Sequence, residues 1–207
     1  ATRKSPAVCH CLLDLLQEST GADLFATIFS GDDWIAGSRW RDRIDGFDGD
    51  DRLFGGAFAD SLFGGRGNDR LFGGDDGDVL RGDTGRDLLE GDGGNDRLLG
   101  GTGADRLRGE TGDDSLRGDA GHDLLVGGKG HDTLIGGTGN DSLLGSNGID
   151  ILIAGDGDDF ADGQQGNDVA FLGAGNDTFQ WDPGDGSDVL EGQDGTDAMR
   201  FNGSAGN

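Results

Sequence analysis

The sequence predicts an all-β solenoid, a stack of short parallel strands, and three observations predict it. An aspartate stands at every ninth residue from Asp33 to Asp177, 17 in a row without a slip. Two residues after each comes an apolar side chain, which is Leu, Ile or Phe in 15 of the 17 units, with Ala161 and Ala170 the exceptions. Glycine stands two residues before the aspartate in 14 of the 17, displaced only by Trp40, Phe58 and Asp76. So short a fixed period decides the architecture, because each unit can bury its apolar residue only against its neighbours.

Residues 1–20 lie outside the repeat. Ser5 followed by Pro6 reads as an N-cap and first helical position leading into Val8, Leu12, Leu13, Leu15 and Leu16, a short amphipathic helix ending near Gly21. A solenoid exposes its terminal layer, so the expected role of this helix is to cap the open end; docking to a partner is the alternative. Cys9, His10 and Cys11 have no second ligand pair at zinc-site spacing and read as inert thiols. The repeat itself contains no cysteine, so disulfides do not hold it.

Residues 21–201 form the expected solenoid and 202–207 a C-terminal tail. Looser copies around Asp23, Asp188 and Asp197 extend the regular array at both ends. Within a unit the glycines supply a tight turn by admitting positive φ, and the triplet after the aspartate is long enough only for a short strand. Its middle residue faces one side and its neighbours the other. One face therefore gathers Leu53, Leu62, Leu71, Leu80 and their successors through Leu152. Two units make a coil of 18 residues, and alternate units build two parallel sheets whose leucines meet.

The unit around Asp69 reads Gly64, Gly65, Arg66, Gly67, Asn68, Asp69, Arg70, Leu71, Phe72, or GGxGxDxUx in full. This resembles the calcium-binding nonapeptide of the RTX family, over nearly the whole chain. The resemblance implies a right-handed parallel β-roll, with each ion seated between turns one coil apart and bridging Asp n to Asp n+18. Fifteen such pairs exist in the regular array, and about a dozen calcium ions are expected.

Physical chemistry asks for a cation independently. One buried leucine per unit contributes roughly 1.5–3 kcal/mol, small against the ordering of nine backbones at about 1–2 kcal/mol each. A formal net charge of −25, from 41 acidic against 16 basic residues, adds repulsion between aspartates stacked about 4.8 Å apart. Calcium accepts six to eight hard oxygens in forgiving geometry, whereas magnesium dehydrates reluctantly.

The expected ligands divide into two edges. One carries Asp33, Asp51, Asp69, Asp87, Asp105, Asp123, Asp141, Asp159 and Asp177, all with the glycine two residues before. The other carries Asp96, Asp114, Asp132, Asp150 and Asp168, preceded by Asp42, Asp60 and Asp78, whose turns depart from the motif and whose sites should be weaker. Asp188 and Asp197, in the irregular copies, should also be weaker. His122 and His131, just before their aspartates, read as solvated turn residues.

Outward positions carry the clues to partners. Ile135, Ile151, Ile153, Val169 and Phe171 should face out together from one sheet, and nine of 14 aromatics, from Phe25 to Phe72, crowd the N-terminal half. Contiguous exposed apolar surface marks a protein partner or self-association. Nucleic acid is disfavoured by the acidic charge, and no run of 18 apolar residues suggests a membrane span.

No HExxH, GxSxG or Walker glycine loop is present, so a non-enzymatic chain is expected. Resemblance to RTX proteins implies export from a Gram-negative cell through a type I system and folding in a calcium-rich exterior. The alternatives are a surface or assembly component, and the accessory domain of a secreted protease, lipase or epimerase.

Overall fold

The computed structural model describes residues 24–27, 31–181, 186 and 188–201. The helix and the Cys9-His10-Cys11 triplet expected within residues 1–20 lie outside the described residues. Everything regular in the described part is strand. An 11-stranded sheet begins with Leu24–Thr27, Asp42–Asp48 and Ser61–Arg66 and continues by alternate units to Val169–Gly175 and Val189–Glu191. A 10-stranded sheet begins with Trp34–Ala36 and Arg52–Gly56 and ends at Ala198–Phe201. Every pairing is parallel, and across the regular array its register is 18 residues: Leu53 lies beside Leu71, Leu71 beside Leu89, Leu89 beside Leu107. The chain is thus an all-β parallel solenoid of about nine coils.

Strands are longer than the expected triplet, typically six residues, because the strand continues through the first glycines of the next unit. In Ser61–Arg66 the inward residues are Leu62 and Gly64, while Ser61 and Phe63 lie outward. The interior of each half-coil therefore reads aspartate, apolar residue, glycine. The leucines from Leu53 to Leu152 are 0% exposed and form one continuous core with Ile35, Ile44, Ala161, Ala170, Leu172 and Phe179.

The three glycines of a unit do different work. The second has positive φ, as in Gly65 (105°) and Gly101 (113°), but side-chain-bearing residues also adopt the left-handed conformation there, among them Phe47 (71°), Asp83 (72°) and Glu110 (76°). Both glycines close on the previous coil, a Cβ on Gly101 falling 2.1 Å from the Asp83 carbonyl oxygen, but the fourth-position glycine is replaced less often, by Trp40, Phe58 and Asp76. Gly103, at φ 134°, packs so tightly on the previous coil that a Cβ would fall on the Gly85 carbonyl. The first, such as Gly64, is not among the positive-φ residues, which corrects the expectation that all three glycines serve the bend. Its role is to leave room, and what it leaves room for defines the site.

On the outside, Phe54 and Phe72 stack with ring centroids 5.0 Å apart, and Trp34 joins them at 6.0 Å. Trp40 stacks on Phe58 at 6.3 Å and carries the Arg39 guanidinium over its ring, while Arg43 lies 4.0 Å over Phe63. Ile135, Ile153, Val169 and Phe171 are half-buried beside exposed Ile151 on the outer face of the 11-stranded sheet. Among the described residues no helix is long and apolar enough to cross a membrane.

Candidate metal centre

The periodic aspartates point inward. From Asp42 to Asp177 none is more than 3% exposed, and Asp33, at the described start, is 8% exposed. One carboxylate oxygen of each is committed. The backbone N–H of Asp51 donates to Oδ1 of Asp69 at 2.8 Å, that of Asp69 to Asp87 at 2.8 Å, that of Asp87 to Asp105 at 2.8 Å, and so through both edges. The aspartate's own carbonyl accepts in turn, from Arg70 N–H to Asp51 at 2.8 Å and Leu124 N–H to Asp105 at 2.9 Å. The ladder survives the irregular spacing at the C-terminal end, where Asp168 N–H donates to Asp188 and Asp177 N–H to Asp197 across 20 residues.

The second oxygen is different. In Asp33, Asp51, every periodic unit from Asp60 to Asp150, Asp159 and Asp177, Oδ2 is buried with no hydrogen-bond donor. It faces the α-carbon of the first-position glycine and a main-chain carbonyl of the next coil. A Cβ placed on Gly100 would lie 2.6 Å from Asp105 Oδ2 and 2.9 Å from the Gly118 carbonyl oxygen. At Gly55 the corresponding distances are 2.6 Å to Asp60 and 2.6 Å to Gly73, and at Gly136 they are 2.5 Å to Asp141 and 2.5 Å to Ala154. Two acceptors thus converge on one small buried space.

Such an arrangement is costly as it stands. Burial pushes the carboxyl pKa up to about 7 at Asp51, Asp78, Asp87, Asp114, Asp141 and Asp150. Burial takes Asp60, Asp69, Asp96, Asp105 and Asp159 to about 6. The N–H bond from the preceding coil pulls each of them down, and neighbouring carboxylates in the stack push back up. Asp33, Asp123, Asp132 and Asp177 are raised for the same first reason, burial. Among the described residues no three His, Cys, Asp or Glu side chains gather as a metal cluster. The oxygen set on offer is one carboxylate per turn plus main-chain carbonyls, hard ligands suited to calcium and unsuited to zinc.

The carboxylates expected to be weaker do not behave alike. Asp42 has its Oδ2 taken by the Ser38 N–H at 2.6 Å. Asp60 and Asp78 present the same orphaned Oδ2 as the regular units, although Phe58 and Asp76 bend their turns through φ 70° and 71° where glycines such as Gly67 and Gly85 sit at 134° and 137°. Outside this inner line runs a second ladder that the sequence reading did not foresee. Side chains just before the aspartates accept the backbone N–H one coil later: Asp50 from Asn68 at 2.7 Å, Asn140 from Asp158 at 3.1 Å, Asp158 from Asn176 at 2.9 Å. His122 and His131 belong to it. They are exposed, as expected of turn residues, but each Nδ1 accepts a backbone N–H, from Asn140 at 2.7 Å and Ile149 at 2.9 Å. The recurrence of Asp, Asn and His at that position was the available signal.

A family model for the RTX calcium-binding nonapeptide repeat (4 copies) matches residues 28–62, 45–80, 54–89, 72–107, 90–125, 99–134, 108–143, 144–179 and 184–207. No curated protein matches the chain. Among solved structures, the chain is similar to a hyperactive, Ca2+-dependent, β-helical antifreeze protein from an Antarctic bacterium, with TM-score 0.53 and 23% identity over 82% of this chain. The match spans 64% of that protein's length, and at this identity the likeness is one of fold.

Proposed function

The chain belongs to the RTX calcium-binding nonapeptide-repeat family, and on that premise we propose that it is a non-enzymatic roll whose folding is coupled to calcium in the medium it is exported into. The observation that carries this reading is the row of buried Oδ2 atoms facing carbonyl oxygens without a donor. A buried unpaired charge is strongly unfavourable, and here it recurs coil after coil. When bound, calcium supplies two positive charges and accepts both kinds of oxygen at once. The holding residues proposed are the aspartates of the glycine-lined turns: Asp51, Asp69, Asp87, Asp105, Asp123 and Asp141 on one edge, and Asp60, Asp78, Asp96, Asp114, Asp132, Asp150 and Asp168 on the other. Asp188 and Asp197 are proposed as weaker ligands in the last coil.

Oδ1 fixes the carboxylate to the preceding coil, so the second oxygen is already aimed before any cation arrives. The first-position glycine keeps the space open. Ligand binding to the folded chain alone then drives folding by mass action, which suits a chain that stays unfolded where calcium is scarce and orders in a calcium-rich exterior. Secretion through a type I system from a Gram-negative cell follows from the family resemblance and remains part of this proposal.

A far-UV circular dichroism titration tests it. At about pH 8, strand signal should be largely absent in EGTA, appear cooperatively with calcium and respond far less to magnesium; full strand signal in EGTA at that pH would sink the coupled-folding reading. A finer expectation concerns two aspartates. Asp105→Ala, in the middle of the regular edge, should lower calcium cooperativity and raise the midpoint severalfold, since a buried ligand worth about 1–3 kcal/mol is lost. Asp42→Ala, whose oxygen Ser38 already occupies, should shift the midpoint little. Equal shifts would show that the Ser38 bond does not distinguish the two.

The exposed aromatic group of Trp34, Phe54 and Phe72 and the Ile135, Ile151, Ile153 and Phe171 face favour a second role, docking a protein partner in an assembly. Light scattering in calcium separates this from a solitary folding module: a monomer at all concentrations would exclude self-association. Attachment to a secreted enzyme is a further family-based reading. Ice binding, the property of the antifreeze neighbour, finds no support in the turns. Along one edge their third positions run Asp48, Arg66, Thr84, Thr102, Ala120, Thr138 and Asp156, whereas matching a periodic lattice calls for one side chain repeated.

A further inference from the structure

We propose that one edge of the roll is closed to calcium near its C-terminal end, where Ala154 and Leu172 stand in place of the first-position glycine, so that Asp159 and Asp177 hold no ion. This rests on the calcium reading above and revises the expectation that both aspartates are ligands.

On the opposite edge the residue five before the aspartate is glycine in every unit from Gly37 to Gly163. On this edge it is glycine from Gly46 to Gly136, then Ala154, then Leu172. At Gly100 and Gly136 a Cβ would come within 2.6 and 2.5 Å of the ligating Oδ2, closer than real Cβ atoms approach oxygen. The Oδ2 of Asp159 and of Asp177 is buried without a donor like the others, but at these two turns the alanine methyl and the leucine side chain stand inward where glycine elsewhere leaves the space open, and hydrocarbon offers no ligand. Calcium–oxygen distances of about 2.3–2.6 Å leave no room for an intervening side chain.

The core shows a compensating change. Within strand Thr133–Thr138 the inward pair is Leu134 and Gly136; within Ile151–Asp156 it is Leu152 and Ala154; within Val169–Gly175 it is Ala170 and Leu172. The large side chain has moved two residues along the same inward face, onto the line of the cations. Ala170 and Leu172 are 1% and 0% exposed and lie in one cluster with Ala161 and Phe179, against which Trp181 and Leu190 pack. From Leu134 and Gly136 to Ala170 and Leu172 the inward pair gains only a methyl group while the large side chain changes position, so close packing is kept. The last coils of this edge are thereby held by hydrocarbon contact where the earlier ones are held by ions.

Counting calcium per full-length chain by native mass spectrometry, with circular dichroism in calcium as the check on folding, tests the assignment. Ala170→Leu with Leu172→Gly restores the regular inward pair and should bind one ion more than the parent chain; Ala154→Gly alone should also gain one. Leu134→Ala with Gly136→Leu, which moves the exchange into the regular region, should lose one. An unchanged count in Ala154→Gly and in the Ala170/Leu172 variant would overturn the inference. If the double variant fails to fold, Ala154→Gly alone decides. A parent chain that binds no calcium would instead overturn the reading on which this one rests.

Discussion

Stripped of calcium, the roll will hold its strand structure best in mild acid and lose it as the pH is raised through about 7. The carboxyls of Asp51, Asp78, Asp87, Asp114, Asp141 and Asp150 are lifted by burial from 3.8 to about 7, and those of Asp60, Asp69, Asp96, Asp105 and Asp159 to about 6. Between about pH 4 and pH 7 the folded metal-free chain therefore binds more protons than the unfolded one, so its stability falls as the pH rises. The contribution is full below the unfolded value near 4 and gone above the folded value near 7. A protonated Oδ2 can donate to the carbonyl it faces, supplying the missing donor by other means. Protonation also lowers the charge of −25 that opposes compaction. Circular dichroism of the chain stripped with EGTA at about pH 8 and then exchanged into calcium-free buffers at about pH 4.5 and pH 8 should show the ordered chain only at the lower value. With calcium present the dependence should invert at the acid end, because protons compete for the ligating oxygens. A metal-free chain whose strand signal is flat with pH, or rises with it, would contradict the assignment of Oδ2 as the destabilising atom.

Gly103→Ala should be among the most damaging single substitutions in the chain, costing about 3–5 kcal/mol in calcium. Two penalties combine there. Its φ of 134° lies in backbone space that a side chain rarely enters, and the added Cβ falls on the Gly85 carbonyl of the coil before, which cannot move without breaking register. Glycine at the second position supplies the contrast. A Cβ on Gly101, at φ 113°, would likewise lie 2.1 Å from the Asp83 carbonyl oxygen, but this position already accepts side chains at φ 72° in Asp83 and 76° in Glu110, so Gly101→Asn, which can adopt that left-handed conformation, should cost less, about 1–2 kcal/mol. Chemical denaturation at saturating calcium measures both. Similar losses at the two positions would show that the second position has no easier route around the preceding carbonyl than the fourth.

That contrast also marks how far the sequence could be read. The aspartate period specified the two sheets, the 18-residue register and the inward line of leucines from Leu53 to Leu152, because a period of nine leaves a strand and turn few other solutions. It also placed the candidate ligands on two edges. What it left out is three-dimensional closeness. A row of glycines looks alike in sequence, yet Gly65 and Gly103 bend the chain at positive φ hard against a carbonyl of the coil before, while Gly100 leaves room for a carboxylate. Ser38 occupying the Asp42 oxygen, and the outer ladder that includes His122 and His131, depend equally on which atoms the stacking brings within reach. Trp40, Phe58 and Asp76 look disruptive as letters, but the turn at Phe58 and Asp76 adopts another φ and leaves the carboxylates of Asp60 and Asp78 where the others are.

The inner and outer ladders run in opposite senses. Inside, each aspartate N–H donates forward to the carboxylate of the next coil; outside, N–H groups donate backward, as from Asn68 to Asp50 and from Asp158 to Asn140. All these bonds, and those of both sheets, lie along the axis of the stack, and each joins only adjacent coils. Pulled by its two ends, the protein is a set of similar clasps in series. The load on every clasp is the same, and release of one coil frees roughly 60 Å of chain from 18 residues without loosening the coils beyond its neighbours. Under tension such a stack should yield in steps and shorten again coil by coil, with calcium stiffening the clasps that hold an ion.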